Sequence, residues 1–280
     1  MHLLWAGNWE NSWFLMDVFG FCNIAIIPVR AAANHRSEMV TQLLFGEAYR
    51  VIDTNCTAGW IEIKTQFDDY SGYIDANQVV LMHSNSWKKY YLEQQYKVAS
   101  SQTSIFDKKR NIFFPIPAGS SLPMYDGETI RLGAEIFEIQ QEMEDYSISL
   151  QENLKTIALS YLNIPYLWGG RTHWGIDCSG FNQMVFKILG IPLPRNASQQ
   201  ILKGQCVNSL AEVQVGDVAF FENKENVITH TGILLSTNTI IHASGNVRID
   251  IVDQRGIYCV EREEYSHKLK AIKRNLICKI

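Results

Sequence analysis

The stretch from Asn163 to Gly180, Asn-Ile-Pro-Tyr-Leu-Trp-Gly-Gly-Arg-Thr-His-Trp-Gly-Ile-Asp-Cys-Ser-Gly, limits the fold more than any other part of this 280-residue chain. Its proline, glycines and tryptophans read as an irregular loop that ends at Asp177. Beyond it Phe181, Val185, Ile188 and Leu189 recur at helical spacing until Gly190 and Pro192 stop the run, so a helix is expected over 178–189 with Asp177 as its cap. A cysteine in the first turn meets free backbone N–H groups and the positive end of the helix dipole. Its thiolate is then expected to be stabilised, with a pKa below the free value of about 8.5. Cys178 is therefore the candidate nucleophile.

The segments around this helix predict a domain of their own over 148–280. Leu154, Ile157, Ala158, Tyr161 and Leu162 fall on one helical stripe, and a further helix is expected to open near Pro194. Val218 to Phe221 then starts a series of strands, giving helices first and sheet after, an α+β order. His230 and His242 lie on two of these strands. A turn centred near Ser236 places them opposite each other, with Cβ atoms about 4.5–5.5 Å apart. His230 can accept the Cys178 proton while His242 orients its ring, an arrangement that attacks acyl carbons. The Cys178 N–H and the Tyr166 hydroxyl are candidates to meet the oxyanion. Cys178, His230 and His242 could instead bind zinc, but only three ligands are evident and none has close spacing. His35, His83, His173 and His267 lack such context and read as surface groups. Asp177 is read as both helix cap and binding residue.

The first half of the chain is patterned differently. Ile24 to Val29, Leu43 to Glu47, Tyr49 to Asp53, Trp60 to Lys64 and Tyr73-Ile74 are short runs broken by turn formers, the spacing of a small β-barrel. Trp87 to Gln95 suggests a linking helix. Further strands follow around Ile112 to Pro117 and Ile136 to Ile139, with a hairpin signal at Asp126-Gly127. The expected division is a lead-in over 1–24, barrels over 25–83 and 84–147, and the third domain thereafter. A net charge of -4 without a basic run argues against nucleic acid. No run of about 20 apolar residues argues for a membrane span. Six cysteines without CxxC pairs suit unpaired thiols in a reducing compartment, so a cytoplasmic monomer is expected, or an exported protein if the start is misassigned.

Pro165 to Gly170, Asp177-Cys178-Ser179-Gly180, Gly216-Asp217, His230-Thr231-Gly232 and His242-Ala243 together resemble the motifs of the NlpC-type peptidoglycan cysteine peptidases, a papain-like branch. Ser37 to Gln42, Gly46-Glu47 and Gly59-Trp60 through Ile74 resemble the bacterial SH3-like modules of its murein-recycling subgroup. The resemblance implies a papain-like domain behind two SH3-like β-barrels. Cys178 is then the nucleophile, His230 the base and His242 the third polar residue. The bond implied is that between γ-D-Glu and a diamino acid in a cell-wall stem peptide, cut without metal or organic cofactor. A free N-terminal L-Ala would be held by Asp177 with Glu38 and either Tyr70 or Tyr73, while Tyr166, Trp168 and Ser179 line the cleft. Where the subgroup has Asp-Ser after Pro-Arg, this chain has Asn196-Ala197, which alters the D-Glu end. The rival readings are a peptidoglycan-binding protein with a vestigial catalytic domain and a papain-like amidase or acyltransferase.

Overall fold

The computed structural model describes residues 18–54, 56–57, 59–82, 97–140 and 149–275. The linking helix suggested over Trp87–Gln95, with His83 and Cys278, lies outside these residues. Strands β1 (Phe19–Phe21), β2 (Ile26–Arg30), β3 (Met39–Leu44), β4 (Ala48–Asp53), β5 (Trp60–Thr65), β6 (Ser71–Asp75) and β7 (Leu81–Met82) form one antiparallel sheet in the order β3-β2-β6-β5-β4-β1-β7. In β5 the alternation of Trp60-Ile61-Glu62-Ile63-Lys64 is realised with Ile61 and Ile63 in the barrel core beside Ile27, Val29, Leu43 and Ile74. Strand β1 comes from the segment read as a lead-in. It pairs with β4 and β7, yet sends Phe19 and Phe21 into a second core with Phe45, Ile105 and Phe137.

That second core belongs to β8 (Lys97–Val98), β9 (Thr103–Asp107), β10 (Ile112–Ile116), β11 (Ser121–Leu122), β12 (Thr129–Leu132) and β13 (Glu135–Ile139). Four of these make a sheet in the order β10-β9-β13-β12. The chain does reverse at Asp126-Gly127, where the Asp126 amide donates to the Thr129 carbonyl and the Arg131 amide to the Pro123 carbonyl, but the arm before the turn is not a strand of this sheet. The Asp126 Oδ1 accepts from the Glu128 and Thr129 amides and launches β12, and the β12–β13 hairpin turns after Leu132.

The third domain opens with α1 (Leu150–Ser160), where the Ser149 hydroxyl caps the helix by accepting from the Glu152 amide and donates in turn to the Glu152 carboxylate. Helix α2 (Cys178–Ile188) follows a short ribbon of β14 (Arg171–Thr172) and β15 (Gly175–Ile176). Leu154, Ile157, Ala158 and Tyr161 pack on Phe181, Met184 and Val185, whereas Leu162 lies past the helix end and is exposed. Helix α3 (Ala197–Gln200) begins after Asn196 rather than near Pro194, because Arg195 turns its buried guanidinium inward towards Asp177. The remaining strands are β16 (Gln205–Val207), β17 (Val218–Glu222), β18 (Ile228–Ser236), β19 (Thr239–Ser244), β20 (Asn246–Val252), β21 (Gly256–Cys259) and β22 (Glu264–Arg274). They run β16-β22-β17-β18-β19-β20-β21, and β21 pairs back onto β22. The sheet therefore closes. Ala219, Phe221, Leu234 and Ile240 fill its inside, while Val218, Phe220, Ile233 and Ile241 face the helices. Among the described residues no helix is long and apolar enough to cross a membrane.

The first barrel is locked onto this domain by buried charge. Arg171 donates to both oxygens of Glu47 at 2.8 and 2.9 Å, and Lys187 of α2 reaches the same carboxylate at 2.5 Å. All three side chains are nearly inaccessible to water, and Phe67 lies under both cations. Burial alone would raise the Glu47 pKa, but Arg171 and Lys187 prevail and hold it at about 2 against an ordinary 4.5. That shift amounts to about 3 kcal/mol of stability above the unfolded carboxyl pKa. Glu47→Ala should lower unfolding stability by about 3–5 kcal/mol in a urea titration, since it strands two buried cations. In the parent protein the Glu47 contribution should be complete above about pH 4.5 and fade as the pH falls towards 2, a slope the variant should lack. An unchanged unfolding midpoint in the variant would mean that the clamp is not what seats the barrel.

Candidate active site

The loop ahead of α2 is held in place by its neighbours on both sides. Gly169 takes a positive φ of 76°, and a Cβ there would lie 2.2 Å from the Met39 carbonyl, so only glycine lets β3 approach so closely. Trp168, itself largely exposed, donates its indole N–H to Glu38 at 2.5 Å. Arg195 donates to Thr41 across the same boundary, and Gln183 of α2 donates to Asp68 in the β5–β6 turn at 2.7 Å. Glu38 and the 68–70 turn therefore both sit at the junction with the loop and α2. Tyr70 is in that turn. Tyr73 lies on β6 opposite Arg30 and Glu62, and Glu62 raises its hydroxyl pKa.

Asp177 caps α2 through the Gly180 amide at 2.7 Å, and its other oxygen accepts the Gly169 amide at 2.9 Å. Arg195 donates to both oxygens, and Ser179 donates to one of them while accepting from Arg195 at 2.9 Å. The carboxylate expected to hold an incoming amine is thus already charge-balanced and surrounded by donors. Ser179 faces the same buried pair. Asn196 makes no side-chain capping bond and Ala197 is buried.

Cys178 begins α2, 7% exposed, with the Thr231 and Ser179 backbone N–H groups turned to its sulfur. The expectation of a lowered thiol pKa is not met. Burial foremost, then the Asp177 charge, pushes it up to about 12, outweighing those amides and Arg195. Burial also raises the hydroxyl pKa of Tyr166, with Cys178 and Asp177 close by, so that phenol remains a donor. His230 is buried too, and burial, followed by His267 and His242, holds it well below the ordinary imidazole range. The resting site therefore contains a neutral thiol and a neutral imidazole, because the low-dielectric interior disfavours separated charge. Among the described residues no hydrogen bond joins Cys178 to His230. The adjoining Thr231 is what touches the sulfur.

His230 Nε2 and His242 Nδ1 are 2.8 Å apart. They meet diagonally, not face to face. The hairpin turns at Thr237-Asn238 rather than at Ser236, and with a bulge between Leu234 and Ser236, Ile233 pairs Ile241, so that Gly232 comes opposite His242. A Cβ on Gly232 would lie 2.7 Å from that of His242, and its absence leaves room for the histidine to lean towards His230. His242 Nε2 lies 2.9 Å from Asp250 Oδ2 on β20, and Arg248 donates to Asp250 Oδ1 through Nε and Nη2 at 3.2 and 2.9 Å. Both nitrogens of His242 are thus engaged by hydrogen bonds, which leaves neither for zinc.

Two histidines read as surface groups are not. His267, on β22, stacks on His230 with ring centroids 4.0 Å apart, and burial holds its pKa at about 4. His173 stacks on Tyr161 at 3.7 Å and is lowered to about 4 for the same reason. His35 is on the surface, against Trp60. Asp250, Arg248 and His267 escape a reading of motifs because each lies on a strand whose neighbour is set only by barrel closure and β19–β20 pairing.

Residues 163–263 match the NlpC/P60 family, and residues 29–79 match the bacterial dipeptidyl-peptidase SH3 domain. The dipeptidyl-peptidase 6 of Lysinibacillus sphaericus is 26% identical over 246 residues, which cover 78% of this chain and 86% of that protein. The gamma-D-glutamyl-L-lysine dipeptidyl-peptidase of Bacillus subtilis is 38% identical over 85 residues, 30% of this chain and 28% of that protein. A crystal structure of an NlpC/P60 family protein from Bacillus cereus ATCC 10987 shares the fold, with a TM-score of 0.76 at 17% identity, covering 92% of this chain and all of that one. The chain thus carries an NlpC/P60 peptidase domain behind a bacterial dipeptidyl-peptidase SH3 domain.

Proposed function

We propose that the protein is a cysteine endopeptidase that hydrolyses the γ-D-glutamyl bond to a diamino acid in cell-wall stem peptides with a free N-terminal L-Ala. The observation that carries this reading is the seating of Glu38 against Trp168, which brings a carboxylate of the SH3 domain to the loop that delivers Cys178. Relatives bearing the name gamma-D-glutamyl-L-lysine dipeptidyl-peptidase support the bond type.

In this reading His230 takes the Cys178 proton as sulfur attacks the carbonyl. The Cys178 N–H, one of the first-turn amides that a helix leaves unbonded, and the Tyr166 hydroxyl meet the oxyanion. The amine of the diamino acid leaves, and water releases the dipeptide from the thioester. Because Arg195 balances Asp177, Glu38 is the carboxylate that draws the substrate ammonium, with Tyr70 or Tyr73 as its partner. An acylated N-terminus would desolvate Glu38 without a cation to match, and intact cell wall is rejected in favour of soluble fragments. Asn196 and Ala197 offer the D-Glu end a neutral amide and a methyl. A cytoplasmic place in fragment turnover fits this substrate.

Cys178→Ala should abolish release of L-Ala-γ-D-Glu from L-Ala-γ-D-Glu-diaminopimelate, followed by mass spectrometry, while the circular dichroism spectrum stays unchanged; retained cleavage removes the mechanism. For Glu38→Gln, KM for the free-amine peptide should rise about 10-fold or more, the loss of one charge-assisted hydrogen bond of about 1.5–3 kcal/mol. Discrimination against the N-acetylated peptide should shrink with it, and equal discrimination in parent and variant would show that Glu38 does not read the amine. Iodoacetamide labelling of Cys178 should accelerate steadily with pH to about pH 10, as a thiol with a raised pKa requires. A rate that is flat from about pH 5 to 9 would reveal a resting thiolate–imidazolium pair.

A further inference from the structure

The bonds that end at Asp250 fix the direction in which every proton of the site can point. A carboxylate whose pKa is lowered accepts and does not donate; burial opposes that lowering, but His242 and Arg248 outweigh it. His242 must then carry its proton on Nε2, the atom 2.9 Å from Asp250. Its Nδ1 is left bare and can only accept. The partner of Nδ1, His230 Nε2 at 2.8 Å, must be the donor. In a neutral His230 ring the remaining nitrogen, Nδ1, is then the unprotonated one. That is the state a general base needs. Reversing the first bond reverses each that follows: with Nδ1–H on His242, His230 Nε2 becomes an acceptor and Nδ1 carries the proton, so the base is blocked.

We propose that Asp250, anchored by Arg248, is a positioning residue that sets the tautomers of His242 and His230 and so keeps His230 Nδ1 free to receive the Cys178 proton. This rests on the cysteine-peptidase reading above. During attack the Cys178 S–H bond breaks and its proton goes to His230 Nδ1 as the sulfur–acyl bond forms. The positive charge that appears on His230 is met through its Nε2–H bond to His242, whose own Nε2–H remains on the Asp250 carboxylate. The proton then passes to the departing amine, and His230 returns to its starting tautomer. No other reactant is needed. Asp250 touches neither substrate nor sulfur, and its effect is exerted only through the two rings. Arg248 holds it at Oδ1 through two nitrogens, which leaves Oδ2 aimed at His242. The groups facing this chain are His267, stacked on His230, with Arg248 and Glu261 at the Asp250 end.

The test is Asp250→Asn in the full-length protein, whose amide can turn an N–H towards His242 Nε2. Long-range 15N–1H correlation spectra of histidine-labelled parent protein should show His242 and His230 both as Nε2–H tautomers. In the variant His242 should shift towards Nδ1–H, and kcat on L-Ala-γ-D-Glu-diaminopimelate should fall about 10²–10⁴-fold with KM within about twofold, the scale of the analogous Asp→Asn change in serine proteases. Asp250→Glu, which restores a carboxylate, should recover the parent tautomers and part of the rate. Parent-like tautomers in Asp250→Asn, whether or not kcat falls, would overturn the proposal. Should that variant not fold, Arg248→Gln takes its place: a mixed His242 tautomer and a kcat lower by about 10-fold are expected, and parent-like values of both would overturn it equally. If the parent protein does not cut this peptide, the proposed substrate fails, while the tautomer spectra still decide the role of Asp250.

Discussion

Two cations and one carboxylate, buried where the first barrel meets the third domain, fix the relation on which the rest of the structure depends. Glu47 cannot leave Arg171 and Lys187 without stranding their charge away from water, and they cannot leave it. Arg171 lies at the start of the ribbon that leads into α2, and Lys187 lies on α2 itself. The clamp therefore ties β3 and β4 of the barrel to the helix that begins with Cys178. Once it is closed, the smaller contacts have little freedom: Glu38 falls against Trp168, Thr41 against Arg195, and Asp68 against Gln183. The Glu38 edge of the barrel is in this way held in register with the helix that begins with Cys178.

The interior that makes the clamp strong also governs the chemistry. A helix start favours a thiolate, but Cys178 is buried beside Asp177, and burial with that charge outweighs the two amides and Arg195. His230 is disfavoured as a cation by the same burial and by two neighbouring imidazoles. In the proposed reaction charge separation is thus deferred until a substrate carbonyl is present to take it up. A site of this kind depends on where its neutral groups keep their protons, which gives the chain through His242 to Asp250 its importance.

Much of this was legible in the residues. The cap at Asp177, the helix behind it, the stripe on α1 and the apolar run of β17 are local patterns, and each formed where the spacing placed it. The pairing of His230 with His242 was legible only as a neighbourhood. Counting outwards from Ser236 puts the turn too early: the strands end at Ser236 and resume at Thr239, so the hairpin turns at Thr237-Asn238, and with the one-residue bulge at Leu234–Ser236 the residue opposite His242 is Gly232. Asp250 reads in sequence as one of the polar positions of a half-buried strand, and nothing local distinguishes it from Arg248 or Asn246. Its meaning comes from the pairing of β20 with β19, and that of His267 from the closure of β21 onto β22, contacts that no window of sequence contains. The raised pKa of Cys178 was hidden for a related reason, since burial is a property of the assembled domains.

The central claim is that the first barrel and the cysteine domain form one cleft, in which a carboxylate of the former reads what a thiol of the latter cuts. A crystal structure of the Cys178→Ser protein with L-Ala-γ-D-Glu bound examines it most directly. The account requires the L-Ala ammonium within hydrogen-bonding distance of Glu38 and the γ-carbonyl carbon beside residue 178. A dipeptide bound with its ammonium in open solvent, or wholly within the third domain and out of reach of the barrel, would contradict it.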